Sequence, residues 1–288
     1  MGYHTLVSAS DLASHLTDPD WVIVDCRFSL ADTERGRRDY LHAHIPGAVY
    51  AHLDEVLSGR MIPGKTGRHP LPEVEKAVRV FSDWGIGNGV QVISYDDVGG
   101  ALAAARLWWM LRWLGHDQSA VLDGGWQAWQ AQGFPVQGGE VSKPRQRFIP
   151  RPRPERIATT VEVKGLLGKE PTCLVDARTA DRFRGENEVI DPVAGHIPSA
   201  MNLPYLENLT SEGFFRPPGE LRKKYQDLLG DLPPEQAIFY CGSGVTSIHN
   251  ILAMVHAGLK EPRLYAGSWS EWITDPGRPI SIGDEPRS

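Results

Sequence analysis

One succession of motifs occurs twice in the same order along this chain, and that duplication limits the folds open to it more than any other feature. VIVDCRF at 22–28 recurs as CLVDART at 173–179, and HIPGAVY at 44–50 recurs as HIPSAMN at 196–202. ISYDDVGGA at 93–101 recurs as IFYCGSGVT at 238–246, and DGGWQAW at 123–129 as AGSWSEW at 266–272. The copies lie 151, 152, 145 and 143 residues apart, so they differ by loop insertions and not by architecture. A chain of 288 residues suits two domains of ordinary size. The repeat predicts a first domain over 1–136, a linker over 137–156 and a second domain over 157–288.

Each copy alternates short apolar strands with helices, a pattern that folds into a parallel sheet covered by helices on both faces. Val22 to Asp25 and Leu174 to Asp176 read as buried strands. Ile248, Ile251, Leu252 and Val255 follow the i, i+3, i+4, i+7 spacing of a helix with one buried face. Between the copies, the four prolines of 137–156 predict an extended, semi-rigid connector, and its six basic residues against two glutamates read as a solvated path over the surface. Trp108, Trp109 and Trp113 lie in a helix apolar almost all round and read as core.

With 41% hydrophobic and 23% charged residues the chain reads as a soluble globular protein; it has no signal-peptide start and no membrane-length apolar run. The net charge of −6, mixed along the chain, argues against nucleic acid or membrane as a partner. Three scattered cysteines cannot make a disulfide framework, so reduced thiols and a cytoplasmic location are expected.

Cys241 stands where an apolar strand meets a glycine-rich turn and a helix, the place where open parallel sheets bind ligands. Gly242 and Gly244 let the backbone curl so that N–H groups point inward, and the helix N-terminus adds partial positive charge. Such a nest lowers a thiol's pKa and would hold a persulfide equally well. Cys26 and Cys173, within or beside core strands, read as small buried hydrophobes.

The order VD-x-R, GHIP, YCGSGVT and G-S/G-W resembles the rhodanese and mercaptopyruvate sulfurtransferase family across both halves. The resemblance implies two tandem rhodanese-like domains, with Cys241 of the second as the sulfur carrier and Asp96 marking a silent first copy. It implies transfer of a sulfane sulfur from 3-mercaptopyruvate through a Cys241 persulfide to a thiol, thioredoxin or cyanide. Gly242, Gly244, Val245 and Thr246 would complete the loop, Ser243 would serve the departing enolate with His69 behind it, and Arg182 would hold the anionic end of the donor. The acidic partner of His69 is left open between the neighbourhood of Ser58 and Asp54. A second arginine usual in mercaptopyruvate enzymes is missing from ENEVIDPVAG at 186–195. His44 and His196, present in both copies, read as structural, as do Asp25 with Arg27 and Asp176 with Arg178.

Thiosulfate, a dianion, is the alternative donor; enzymes preferring it carry CRKGVT, whereas Gly242 and Ser243 are uncharged. A non-catalytic rhodanese-like binding module is a further alternative, opposed by the intact loop around Cys241. A phosphatase would need arginine where Ser247 stands, and GSGVTS lacks the lysine of a nucleotide loop. No organic cofactor or metal is expected, because the sulfur travels on the cysteine, and a monomer is expected.

Overall fold

The alternating pattern resolves, in a computed structural model that describes residues 2–169 and 174–284, into two parallel sheets. The first contains β1 (Leu6–Val7), β2 (Trp21–Asp25), β3 (Val49–Tyr50), β4 (Gln91–Tyr95) and β5 (Ser119–Leu122), in the order β1-β5-β4-β2-β3. The second contains β6 (Leu174–Asp176), β7 (Met201–Asn202), β8 (Ile238–Tyr240) and β9 (Arg263–Leu264), in the order β7-β6-β8-β9. Ile157 bridges Leu264 in parallel, standing where β1 stands in the first sheet. The two topologies are therefore the same. Cys173 lies outside the described residues.

Central strands β2 and β4 are apolar because both of their faces are covered: Val22, Ile23, Val24, Val92 and Ile93 are all buried. Helix Ala103–Trp113 lies against β4 and β5 and buries Trp108, Trp109 and Trp113 as core side chains. In the second sheet, helix Ser247–His256 packs on β8 with Ile248, Ile251 and Leu252 fully buried. No helix among the described residues is long and apolar enough to cross a membrane.

A buried aspartate ends the second strand of the first sheet and its counterpart in the other. Asp25 accepts the Arg27 backbone N–H at 3.0 Å, Arg27 Nη2 at 2.6 Å and the Tyr95 hydroxyl at 2.7 Å. Arg27 Nη2 also donates to the Ala43 carbonyl at 2.6 Å, just before the HIP turn, and the guanidinium lies over the Trp126 ring. Asp176 holds Arg178 in the same way, with Nη2 at 2.6 Å from the carboxylate and 2.7 Å from the Gly195 carbonyl, and with Trp269 beneath. His44 Nδ1 lies 2.7 Å from the Tyr40 carbonyl and His196 Nδ1 2.7 Å from that of Phe183. Each such pair compensates its own desolvation because nearly every polar atom finds a partner.

The chain divides into two compact units that do not follow the repeat boundaries. One comprises residues up to Gly59, Leu71–Arg153 and Leu209–Phe215; the other comprises Arg60–Pro70, Pro154–Asn208 and the chain from Arg216. The proline-rich stretch is fastened along the first unit as far as Arg153. Phe148 is buried against Phe81, and the Arg151 and Arg153 amides donate to Leu114 and Trp113 at 2.7 and 2.9 Å. Prolines remove N–H groups that such a path would leave unpaired.

In the first unit the loop after β4 holds a carboxylate. Asp96 is fully buried and accepts the amides of Val98, Gly100, Leu102 and Ala104 at 2.8–3.3 Å. Removing the acceptor leaves buried donors unpaired, so in urea unfolding Asp96→Ala should be less stable than Asp96→Asn by about 1–3 kcal/mol at any pH. Burial pushes the Asp96 carboxyl up to about 6 against the pull of these amides. Folding thus disfavours its ionised form. Relative to Asp96→Asn, the wild type should be most stable below about pH 4 and should lose that margin as the pH rises through 6.

Candidate active site

Cys241 follows the last residue of β8 and is buried, with its backbone N–H donating to the Ser268 hydroxyl at 3.1 Å. The loop is fixed from the far side, where Trp269 N and Ser270 N donate to the carbonyls of Cys241 and Gly242 at 3.0 and 2.9 Å. Gly244 adopts φ +76°, and a Cβ there would lie 2.2 Å from the Ala266 carbonyl oxygen, so no other residue fits. Gly242 is needed for a different reason than curling the backbone, since its φ is not in the left-handed region. A Cβ at Gly242 would meet Arg68 Nη2 at 2.9 Å, with Arg182 Nη2 and Asp191 Oδ2 each at 3.7 Å. Glycine here leaves open a space beside the thiol that two guanidinium groups and one carboxylate surround.

Burial pushes the Cys241 thiol up, but hydrogen bonding outweighs it. The Thr246 hydroxyl, the amides of Ser243 and Ser247 and the Ser247 hydroxyl together bring the thiol below its ordinary value. Ser247 Oγ is buried and has no protein nitrogen or oxygen as partner, which leaves it to the sulfur. Thr246 and Ser247 stand at the start of helix Ser247–His256, so the partial charge of the helix acts in the same direction. Val245, buried beneath the loop, accepts the Ile248 amide at 3.1 Å. Cys26 differs sharply: burial, with Asp25 and Asp96 nearby, drives its thiol well above the usual range.

Ser243 Oγ lies 2.7 Å from His69 Nδ1, and both residues are buried. The histidine reaches the loop because segment 60–70 belongs to the second unit. There the Arg68 amide donates to Ser270 Oγ at 3.1 Å, and Gly67 passes so close to Gly267 that a Cβ would lie 2.5 Å from its carbonyl oxygen. Of the two places considered for an acidic partner of His69, Ser58 is buried with its hydroxyl unpartnered and Asp54 is exposed; both lie in the first unit.

Arg182, on helix Ala180–Arg184, is gripped by carboxylates. Its Nε and Nη2 donate to Glu188 at 2.9–3.0 Å, and Nη2 also reaches Asp191 Oδ2 at 3.1 Å. Asp191 Oδ1 accepts Arg68 Nη1. Burial would raise Glu188, yet the amides of Asp191 and Ile190 and the Arg182 fork bring it below its ordinary value. Asp191 lies above its ordinary value, because burial outweighs the pull of Arg68 and Arg182.

All eight expected site residues, His69 included, thus lie in one unit. Four others went unseen in the sequence. Arg68 was hidden because it lies within the first repeat, and Glu188 and Asp191 sit in a stretch noted only for its missing arginine. Ser268 replaces Gly125 of the other copy; its φ of +55° and its bridge from the Tyr265 carbonyl to the Cys241 amide make the GSW against GGW difference the visible trace. In the first unit Glu34, His52 and Glu55 bring ligand-type atoms within 4.8 Å of one another, but His52 Nε2 faces the Thr33 carbonyl at 3.0 Å and Glu55 pairs with Arg37 at 2.5 Å.

A rhodanese-like domain model matches residues 8–132 and again 159–275. The chain is 46% identical over 280 residues to the "Probable 3-mercaptopyruvate sulfurtransferase" of Pseudomonas aeruginosa, covering 97% of this chain and 98% of that one. It is 37% identical over 284 residues to the "Putative thiosulfate sulfurtransferase SseB" of Mycobacterium tuberculosis, covering 96% and 97%. Its fold is similar to that of the 3-mercaptopyruvate sulfurtransferase from Leishmania major, with a TM-score of 0.83 at 34% identity over 93% of this chain and 74% of the other. With both repeats matched and full-length relatives at this level of identity, the chain belongs to the rhodanese family, in its two-domain sulfurtransferase class.

Proposed function

We propose that the chain moves a sulfane sulfur from 3-mercaptopyruvate, through a persulfide on Cys241, to a thiol such as thioredoxin or to cyanide. The observation that carries this reading is a buried cysteine held acidic by hydroxyls and amides, with Ser243 of the same loop hydrogen-bonded to His69. The Cys241 thiolate attacks the donor's sulfur. An S–S bond forms as the C–S bond breaks, and the electron pair of that bond passes into the enolate of pyruvate. Ser243 protonates the enolate carbon and is reprotonated from His69, which takes up the proton lost by the donor thiol. Pyruvate leaves and a persulfide anion stays in the nest. Acceptor attack on the outer sulfur then returns the thiolate. One chain supplies every residue of this scheme, and a reducing compartment such as the cytoplasm keeps the thiol available.

Charge favours the keto acid over thiosulfate. The loop CGSG is neutral, and the guanidinium groups beside it, Arg68 and Arg182, are matched by Glu188 and Asp191. A dianion gains little from such a balanced surround, whereas a single carboxylate needs only one fork. Steady-state kinetics with both donors should give the higher kcat/KM for 3-mercaptopyruvate, and a higher value for thiosulfate would make this the wrong donor.

Cys241→Ser should abolish transfer with either donor while leaving the circular dichroism spectrum unchanged. Ser243→Ala should lower kcat with 3-mercaptopyruvate by about 10²–10⁴-fold. It should spare thiosulfate, whose sulfite leaving group needs no proton; equal losses on both donors would remove Ser243 from the proton path. Iodoacetamide inactivation, followed against pH, should rise through a midpoint below the ordinary thiol value, since the thiolate forms at lower pH. A midpoint at or above that value would contradict the nest.

A further inference from the structure

The two copies part company between the scaffold arginine and the HIP turn. His44 Nδ1 faces the carbonyl of Tyr40, 4 residues back, and the two rings stack; His196 Nδ1 faces that of Phe183, 13 residues back, and stacks likewise. Tyr40 therefore corresponds to Phe183 and Asp39 to Arg182, and the second copy carries nine extra residues before the turn. Those residues include Glu188, which accepts Nη1 of Arg178 at 3.3 Å. The first copy lacks this loop. Arg27 commits Nε and Nη2 as Arg178 does, but its Nη1 donates to no protein group among the described residues.

What stands there is a cavity of about 360 Å³ in the first unit, with Arg27, Arg35, Asp39, His42, Asp97 and Trp126 in its lining. Sites for small organic ligands run upward from roughly 300 Å³. Asp97, next to Asp96 where the second copy has Gly242, pairs with Arg35 through Oδ2, and its side chain is 9% exposed. Its Oδ1 is buried with no hydrogen-bond partner. An unpaired carboxylate oxygen and an uncommitted guanidinium N–H in one lining are costly unless a ligand brings a donor to the first and an acceptor to the second. Charge narrows the class of ligand. Arg27 and Arg35 stand against Asp25, Asp39 and Asp97, which leaves one negative charge in excess. A bare carboxylate gains little in such a surround, whereas one that carries its own ammonium group balances it.

We propose that this cavity is a second small-molecule site, for an α-amino acid, whose carboxylate takes on Arg27 the place that Glu188 takes on Arg178 and whose ammonium group donates to Asp97. The site is independent of the sulfur donor and of Cys241. It gives the first unit a binding role of its own, built from the same scaffold arginine that the second unit closes off with its longer loop.

The test titrates the full chain by calorimetry with L-alanine, L-glutamine and L-phenylalanine, and with propionate and ethylamine, each of which carries one of the two charges. At least one amino acid should bind, and about 10-fold or more tighter than either single-charge compound, as for one added charge-assisted hydrogen bond. Asp97→Asn, which keeps the shape and removes the charge, should weaken that amino acid about 10- to 100-fold. In the same variant, kcat/KM for sulfur transfer and the rate of Cys241 alkylation by iodoacetamide should stay at their wild-type values. In NMR spectra of the wild type, the side-chain amide signals of Gln127 and Gln130, which also line the cavity, should shift on titration, a readout that needs no variant. Binding by none of the three amino acids would overturn the proposal, as would equal affinity for propionate or undiminished affinity in Asp97→Asn. An amino acid that slows alkylation of Cys241 and leaves the Gln127 and Gln130 signals in place occupies the other unit, and that outcome would overturn it too.

Discussion

The structure depends on a turn of inward-pointing amides at the carboxyl end of β4 and of β8, a cradle that needs an acceptor to fill it. Both copies build the cradle and fill it differently. In the first, the Asp96 carboxylate accepts four backbone amides and is a permanent occupant. In the second, the same position carries a sulfur whose charge is held by Thr246, Ser243 and Ser247. A carboxylate satisfies the loop; a thiolate satisfies it while keeping a lone pair that can form a bond to a second sulfur. The two copies thus place different side chains in a shared electrostatic frame.

That frame is rigid because buried ion pairs anchor the strand ends beside it. Asp25 with Arg27 and Asp176 with Arg178 tie a strand to the carbonyl before the HIP turn, and each arginine lies over the tryptophan of the helix that follows β5 or β9. Trp126 N donates to the Asp96 carbonyl at 2.9 Å and Trp269 N to that of Cys241 at 3.0 Å. The scaffold pair, the tryptophan and the reactive loop thus form one connected unit in each copy. A loop held from both sides loses little entropy when it receives a charged sulfur.

Much of this was legible in the sequence because duplication displays structure twice. The parallel sheets, the buried Trp108 and Trp109 and the backbone-bound His44 and His196 follow from pattern and recurrence. The Cys241 loop was legible because strand, glycine turn and helix are local in sequence. What was not legible is non-local. Nothing in RHPLP announces that Arg68 packs with a residue 123 positions away, and the pairing of His69 with Ser243 was legible only through the family resemblance. Gly242 reads like Gly244 in the sequence, although one provides room and the other a positive φ. The acidic residues of 186–195 look like an absence of cation until the fold shows them gripping Arg182. The proline-rich stretch reads as an extended, solvated connector, and its hydrogen bonds to a distant surface leave no mark on composition.

The exchange of segments between the two units bears on how such a chain can change over time. A duplicated copy with an aspartate in place of the cysteine would ordinarily be free to drift or to be discarded. Here residues 60–70 are encoded in the first copy but packed in the unit that holds Cys241, while 209–215 of the second copy is packed in the other. Neither half can be shed without removing a piece of its sibling. The half with aspartate in its loop is thereby bound to its twin by shared ancestry and by shared parts, so selection on the Cys241 unit also preserves the other.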